Sequence, residues 1–532
     1  MGSQGDDNFC FRDAIESVAV IGAGISGITS AAYLLRQGLN VTVFERLSVA
    51  GGVWHYDPTV PPDPPYPNER PPAPTSTPDT IHAPSGPQPR ETSGTRQRTL
   101  KEASLTHAPP GPCYKGLQSN IPTPVMRTLL LNWPEGTPDY IPHDEVERYI
   151  QKIAVHTGVQ DRVQYDTRVE SLRKNSSTPS PRWIIHTQTL QRVASEQKDD
   201  GYKLVGHEWS FDAVVVATGR YHEPRIPDVP GLKEWKDRFP DNVFHSKGYR
   251  SPELFREKTV FLLGSGVSAL DIGKEIVSIA KETYQSSRGG KFDLPAAMFA
   301  PNIRRVGPVD KFVIEDGTVS SAKGAVVLKD GQVIQGIDAI VLCTGYITSY
   351  PFLGSLQATT VPKEKADNHV IITSDGCTTH NLHKDLFYIP DPTLAFVGVP
   401  YHASAFSLYD FQAQVVARVF AGKAQLPNQK VMRSEYDERK GAISGGGAAF
   451  HSLMNKSVEY MQGIQDWINR DAVRLGHEPM DAIDPKWLQS QAKFVNELKD
   501  RGWLEAFGKD KEIPQAKVEL GGDRRIISVV SS

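Results

Sequence analysis

The chain is short of cysteine, of net charge and of long apolar runs, and each shortage removes a class of function. Its 532 residues include four cysteines, Cys10, Cys113, Cys343 and Cys377. None stands in a CxxC or a metal-ligand spacing, so no disulfide framework, dithiol redox pair or zinc site is expected, and reduced thiols fit a cytoplasmic protein. Lysine and arginine number 59 against 62 acidic residues, a formal net charge of -3. Such a balance gives no basic footprint for nucleic acid or for an anionic membrane, which leaves small molecules as the expected partners. No stretch approaches the roughly 20 apolar residues that span a bilayer, and the opening MGSQGDDNFC has no signal-peptide core. Whether the chain is a monomer or a homodimer is left open.

What is present is length and glycine in two particular places. A chain of 532 residues exceeds the size at which one hydrophobic core stops growing, so at least two lobes are expected. Near the start, Val18 to Ile21 reads as a buried strand; Ile25, Ile28, Ala32 and Leu35 recur at helical spacing; Val41 to Phe44 reads as the next strand. This β-α-β unit carries GAGISG at its first turn. A second strand, glycine turn and helix follow at KTVFLLGSGVSALDIGKEIVSIA, residues 258–280. The fold class is therefore α/β with two Rossmann-like dinucleotide-binding domains, the second inserted in the first. Residues 1–210 form the first part of one domain, 211–345 the inserted domain, and 346–532 the return together with polar C-terminal helices. Within the first part lies a tract from Pro58 to Pro112 that holds 16 of the 40 prolines. It lacks an apolar face and a regular ladder, and reads as a surface insertion, mobile or extended.

Both loops obey one physical rule. Gly22 permits the tight turn, Gly24 lets backbone N–H groups approach a pyrophosphate, and Gly27 lets helix and strand pack closely; Ile25 and Ser26 complete the turn. The helix N-terminus adds about half a positive charge facing the phosphates. Glu45 follows Gly24 by 21 residues, where a carboxylate can accept ribose hydroxyls, and Arg46 stands beside it. In the second loop Gly264, Gly266 and Ala269 take the corresponding places, with Val267 and Ser268 between. No acid follows at the ribose distance; Ser287 and Arg288 stand there instead, 21 and 22 residues after Gly266. A guanidinium matches a 2'-phosphate, so NADPH is favoured over NADH. One loop would keep a dinucleotide cofactor and the other receive the nucleotide that reduces it.

With GAGISG and Glu45, GGVW at 51–54, YKGLQSNIP at 114–122, ATGRYHEPRIP at 217–227, FPDNVFHSKGYR at 239–250, GSGVSALDI and LCTGY, the sequence resembles the flavin-containing monooxygenase family, and in particular its fungal N-oxygenating members of alkaloid biosynthesis. The resemblance implies FAD in the first domain and NADPH in the inserted one. It implies that Gly52, Val53 and Trp54 line the flavin, that Ser119 and Asn120 lie where flavin and nicotinamide meet, and that Thr218, Thr344, Gly345 and Gln412 belong to the cofactor sites. Asn120 becomes the candidate catalytic residue. The implied activity is NADPH- and O2-dependent transfer of an oxygen atom, carried at the flavin C4a carbon, to a soft nucleophile. A secondary amine or indole alkaloid nitrogen is the expected target, and a thioether sulfur the alternative. No metal is implied. The family fingerprint departs at Asp241, where glycine is usual, while His245, Ser246 and Tyr249 remain; His245 reads as a structural hinge residue. A non-oxygenating FAD/NADPH reductase is the competing class, and its disulfide-reducing form would need the absent CxxC.

Overall fold

A computed structural model describes residues 8–75, 100–177, 179–193, 201–290, 292–314, 324–443 and 447–500. Two parallel sheets organise it. In the first, strands Ser17–Ile21, Asn40–Phe44, Val163–Gln164, Ala213–Val216 and Leu394–Phe396 run parallel, with Ser17–Ile21 between Asn40–Phe44 and Ala213–Val216. Two short antiparallel strands at Leu382–His383 and Phe387–Tyr388 complete that edge. The second sheet runs in the order Val243–His245, Ala339–Leu342, Thr259–Leu263, Glu282–Ser286, Ile303–Val306, all parallel. The chain enters the second lobe after Val216 and returns through Tyr346–Ile347, so that lobe is inserted in the first, as the two β-α-β patterns imply.

Burial explains the runs. Val18, Ala19 and Val20 are fully buried, and Val260, Phe261 and Leu262 likewise, because a parallel strand is covered on both faces. The first-lobe helix Ile25–Arg36 is buried from Ile25 through Leu34, packed between its sheet and the helix Ala405–Phe420. Its environment is a helix sandwich, so the apolar spacing widens to nearly the whole surface.

Two expectations are corrected here. The strand in FDAVVVATG, expected to open the second lobe at 211, pairs with Ser17–Ile21 in the first sheet. An apolar strand followed by a Thr-Gly turn identifies a parallel strand, and only hydrogen-bond pairing says in which sheet. The Pro58–Pro112 tract is also more built than its composition implies. Residues 76–99 lie outside the described residues, but the segment before them is tied to both lobes. Asn68 exchanges backbone hydrogen bonds with Ile226, and the Gln357 amide donates to the Pro72 carbonyl at 2.7 Å. The segment after them contains the helix Leu100–His107. No proline lies between Pro89 and Pro109; a helix fits in that gap, which the tract's average composition conceals.

Two linkers join the lobes side by side. Glu223–Pro224 on the outgoing chain pairs antiparallel with Tyr346–Ile347 on the returning one. His245 is buried there as a neutral ring: Nε2 faces the Gly345 carbonyl at 2.9 Å and Nδ1 accepts from the Lys247 N–H at 3.0 Å. Both nitrogens are satisfied by backbone, which suits a hinge residue and leaves no proton to give.

Candidate active site between the two nucleotide lobes

The first loop has the backbone its glycines require. Gly22 sits at φ +103°, and a Cβ there would stand 2.7 Å from the Ala217 carbonyl oxygen. A Cβ on Gly27 would stand 1.8 Å from the Gly22 oxygen, so the helix approaches its turn as closely as two backbones allow. Gly24 caps the helix without any side-chain hydrogen bond, leaving the helix N-terminal N–H groups free for an anion. The GGVW turn docks beside it. Gly51 N–H bonds the Ala23 carbonyl at 3.1 Å, and a Cβ on Gly52 would meet Gly24 Cα at 2.9 Å.

Glu45 ends the strand Asn40–Phe44 and is buried. Its two oxygens accept from Ala23 N–H at 2.7 Å and Leu47 N–H at 2.9 Å. Burial raises its pKa, opposed by the hydrogen bonds from Leu47 and Ala23 and by the Arg46 charge. A carboxylate has about four lone-pair sites, so acceptor capacity remains for ribose hydroxyls. Arg46 meets His222 Nδ1 at 2.7 Å, and burial holds that imidazole at a pKa of about 3. His222 is therefore the neutral acceptor of a guanidinium N–H.

One cavity of about 2110 Å³ joins the lobes. It is lined from the first by Gly22, Gly24, Ile25, Ser26, Glu45, Arg46, Gly52, Val53, Trp54, Asn120 and Thr218, and from the second by Val267 and Ser268. Its volume exceeds the roughly 300–1,000 Å³ of a single-ligand pocket. Both nucleotide loops therefore open onto one space. Asn120 is exposed to it, while Ser119 beside it is buried, its hydroxyl accepting from Ile141 N–H at 3.1 Å. Ser119 thus fixes the loop from which Asn120 projects.

The second loop repeats the geometry. Gly264 sits at φ +125°, with the Cys343 carbonyl 2.3 Å from where a Cβ would be, and Gly266 is the uncapped N-cap of the helix Val267–Ile276. Ala269 is fully buried against that lobe's core. Gly27, Gly264, Gly266 and Ala269 shape the turns without lining the cavity. Ser287 and Arg288 lie at the end of the strand Glu282–Ser286, Arg288 exposed.

Three expected cofactor residues do other work. The Thr344 hydroxyl donates to the Arg225 carbonyl, and the Gly345 carbonyl accepts from Arg225 N–H at 2.9 Å, so both secure the linker pair. Gln412 is fully buried; its amide oxygen accepts from Gly398 N–H at 3.0 Å and its nitrogen donates to Tyr460 at 2.8 Å. The physical reason is shared: each polar group meets a backbone or side-chain partner brought from elsewhere in the chain.

Other residues of the site were not read from sequence. Arg305, on the strand neighbouring Ser287, donates to the Ser287 hydroxyl at 2.8 Å and to the Leu294 carbonyl at 2.7 Å. Strand pairing alone places it there, so nothing in the spacing could have found it. Asp271 shares the cavity face of its helix with Val267 and Ser268; burial raises its pKa to about 6, opposed by Lys274 and reinforced by Glu275. Its i, i+3 and i+4 spacing was a readable signal. Arg220 lies over the Tyr401 ring at 4.1 Å, and both line the cavity. The helix Ser457–Arg474 adds Glu459, Gln462 and Asp466 to the cavity lining, and the helix Pro485–Asp500 adds Gln491 and Val495.

Two glycine-turn lobes sharing one cavity define an oxidoreductase that works with two nucleotides. The family model for flavin-binding monooxygenase-like proteins matches residues 110–298 and 310–475, and that for NAD(P)-binding Rossmann-like domains matches 20–72. The chain belongs to the flavin-binding monooxygenase-like family, and with membership comes the cofactor pair FAD and NADPH. It is 38% identical over 499 residues to the flavin-containing monooxygenase ustF2 of Aspergillus flavus, covering 89% of this chain and 96% of that one. It is 30% identical to the flavin-containing monooxygenase iboF of Amanita muscaria, covering 88% and 91%. Among solved structures, S-allyl-L-cysteine S-oxygenase from Allium sativum superposes with a TM-score of 0.65 at 25% identity, covering 93% and 95%. No helix among the described residues is long and apolar enough to cross a membrane.

Proposed function

We propose that this monooxygenase uses NADPH and O2 to place one oxygen atom on a soft nucleophile, the nitrogen of a secondary amine or indole alkaloid. The single observation that carries the reading is the shared cavity, onto which the first loop, the second loop and Asn120 all open. Gly24, Ile25 and Ser26, at the uncapped helix start, would give backbone N–H groups to the FAD pyrophosphate, Glu45 would accept its ribose, and Val267 and Ser268 start the helix that would face the NADPH pyrophosphate. Ser287, Arg288 and Arg305 form the corner for the 2'-phosphate. FAD, once reduced, supplies the oxygen-activating chemistry. The chain supplies orientation and exclusion of water: Trp54 stands edge-on to Phe406, and Ile121 and Met126 join them in the cavity wall. Asn120 lines the cavity and makes no hydrogen bond to another described residue, so its amide would be free to donate to a group bound there. Glu459 and Asp466 give the cavity lining negative charge, which favours the approach of a protonated amine. Sulfur is the second reading, favoured by the likeness to an S-oxygenase.

The test mixes enzyme and NADPH in air with matched secondary amines and thioethers, following O2 uptake and product mass. The amine is expected to gain one oxygen atom. Asn120→Ala is expected to keep NADPH oxidation and release H2O2 in place of product. NADPH oxidation with no oxygenated product from either class would make the protein a reductase, and gain on the thioether alone would select the sulfur reading.

A further inference from the structure

The flank of the proline-rich tract that follows residue 99 is built into the wall of the first lobe's nucleotide site. Leu105, Thr106 and Pro109 line the cavity together with Arg46 and Arg168. The segment is anchored at two places, at 106–107 and at 111. His107, 3% exposed, gives its Nε2 to the Asp166 carbonyl at 2.9 Å, and Arg168 donates to the Thr106 carbonyl at 2.8 Å. Beyond them, Arg250 donates to the Gly111 carbonyl at 3.2 Å and to the Thr59 carbonyl at 3.0 Å, so one guanidinium grips both sides of the tract.

These anchors lead to the ribose carboxylate. Asp166 N–H bonds the Leu47 carbonyl at 3.0 Å, and Thr167 N–H bonds the Glu45 carbonyl at 2.8 Å. His107 is therefore two hydrogen bonds and one peptide from the turn that carries Glu45. Burial and the nearby Arg168 lower its pKa to about 4, which keeps the ring neutral. Its Nε2 can then act as a fixed N–H donor to Asp166.

We infer that residues 100–112 are a clasp over the adenosine end of FAD, held shut by His107. The inference rests on the assignment of FAD to the first loop. Because the clasp belongs to the first lobe, it bears on how tightly FAD is kept and leaves NADPH binding alone. His107 itself does not line the cavity, so a substitution there reaches the nucleotide only through the clasp.

The experiment uses the full chain, as holoenzyme for FAD release and stripped of flavin for ADP binding. His107→Ala removes one buried hydrogen bond, and FAD release on dilution, followed by recovery of flavin fluorescence, is expected to speed up about fivefold. ADP binding to the apoprotein should weaken by a similar factor. His107→Gln, which keeps an amide N–H for Asp166, should restore both, and the NADPH concentration for half-maximal flavin reduction should stay within about twofold throughout. Should His107→Ala not fold, Leu105→Ala trims the clasp's apolar face and carries the same expectation. Unchanged FAD release overturns the proposal, and so does faster release with ADP binding untouched, which would put the segment at the other end of the cofactor. Wild-type apoprotein that binds ADP but no FAD would instead sink the assignment of the first loop.

Discussion

The 2'-phosphate corner offers a prediction whose size follows from burial. Two cations stand near Ser287. Arg288 is exposed, and an exposed charge contributes about 0–1 kcal/mol through water and salt. Arg305 is half-buried, its Nη1 on the Leu294 carbonyl and its Nη2 on the Ser287 hydroxyl. Burial lowers its pKa and the Asp293 charge opposes that, yet a guanidinium stays charged. A charge-assisted hydrogen bond from such a site is worth about 1.5–3 kcal/mol, or about 10- to 150-fold in an equilibrium constant. Arg305→Ala should therefore raise the KM for NADPH by about that factor, and Arg288→Ala by about fivefold or less. The assay is stopped-flow flavin reduction with NADPH and with NADH at matched ionic strength. NADH lacks the phosphate, so its KM should move by no more than about twofold in either variant. Equal losses with both nucleotides would mean that Arg305 only braces the Ser287 turn. A larger NADPH effect for Arg288 than for Arg305 would refute the reasoning from burial.

Two further outcomes follow from geometry elsewhere. Gly27→Ala puts a methyl 1.8 Å from a backbone oxygen, which cannot move without opening the first turn, so the purified variant should be colourless; a yellow variant with full FAD content contradicts the close-packing account. His245 is buried neutral with a pKa of about 3, below the ordinary 6.5. A depressed folded-state value means that its contribution is complete above about pH 6.5 and is lost progressively as pH falls toward 3, on the order of 5 kcal/mol over that span. The fall in Tm between pH 7 and pH 4 should be smaller in His245→Gln than in wild type, and parallel curves would rule out this histidine as a source of acid lability.

Much of the fold was legible because its signals are local. A buried parallel strand is a short run of β-branched residues, and a nucleotide turn needs glycine wherever φ is positive or two backbones touch. Gly22, Gly24, Gly27, Gly264 and Gly266 are set by such short-range constraints, and the structure gives each of them a turn that requires glycine or an uncapped helix start. Glu45 was legible for a related reason, since strand length fixes its distance from the loop. The partners of Gln412, Thr344 and Gly345, which are Tyr460, Gly398 and Arg225, were not legible because they come from other segments. The helix Leu100–His107 was hidden by averaging over its proline-rich surroundings.

By itself, then, the sequence determined that two dinucleotide turns exist and which residues shape them, because steric rules act within a few residues of chain. Only the tertiary structure decided that both turns open onto one cavity, that Ala213–Val216 belongs to the first sheet, that Arg305 stands beside Ser287, and that Thr106 of a proline-rich tract meets Arg168 at the cavity wall. Those facts depend on strand pairing and on hydrogen bonds between residues tens to hundreds of positions apart, which no local pattern encodes.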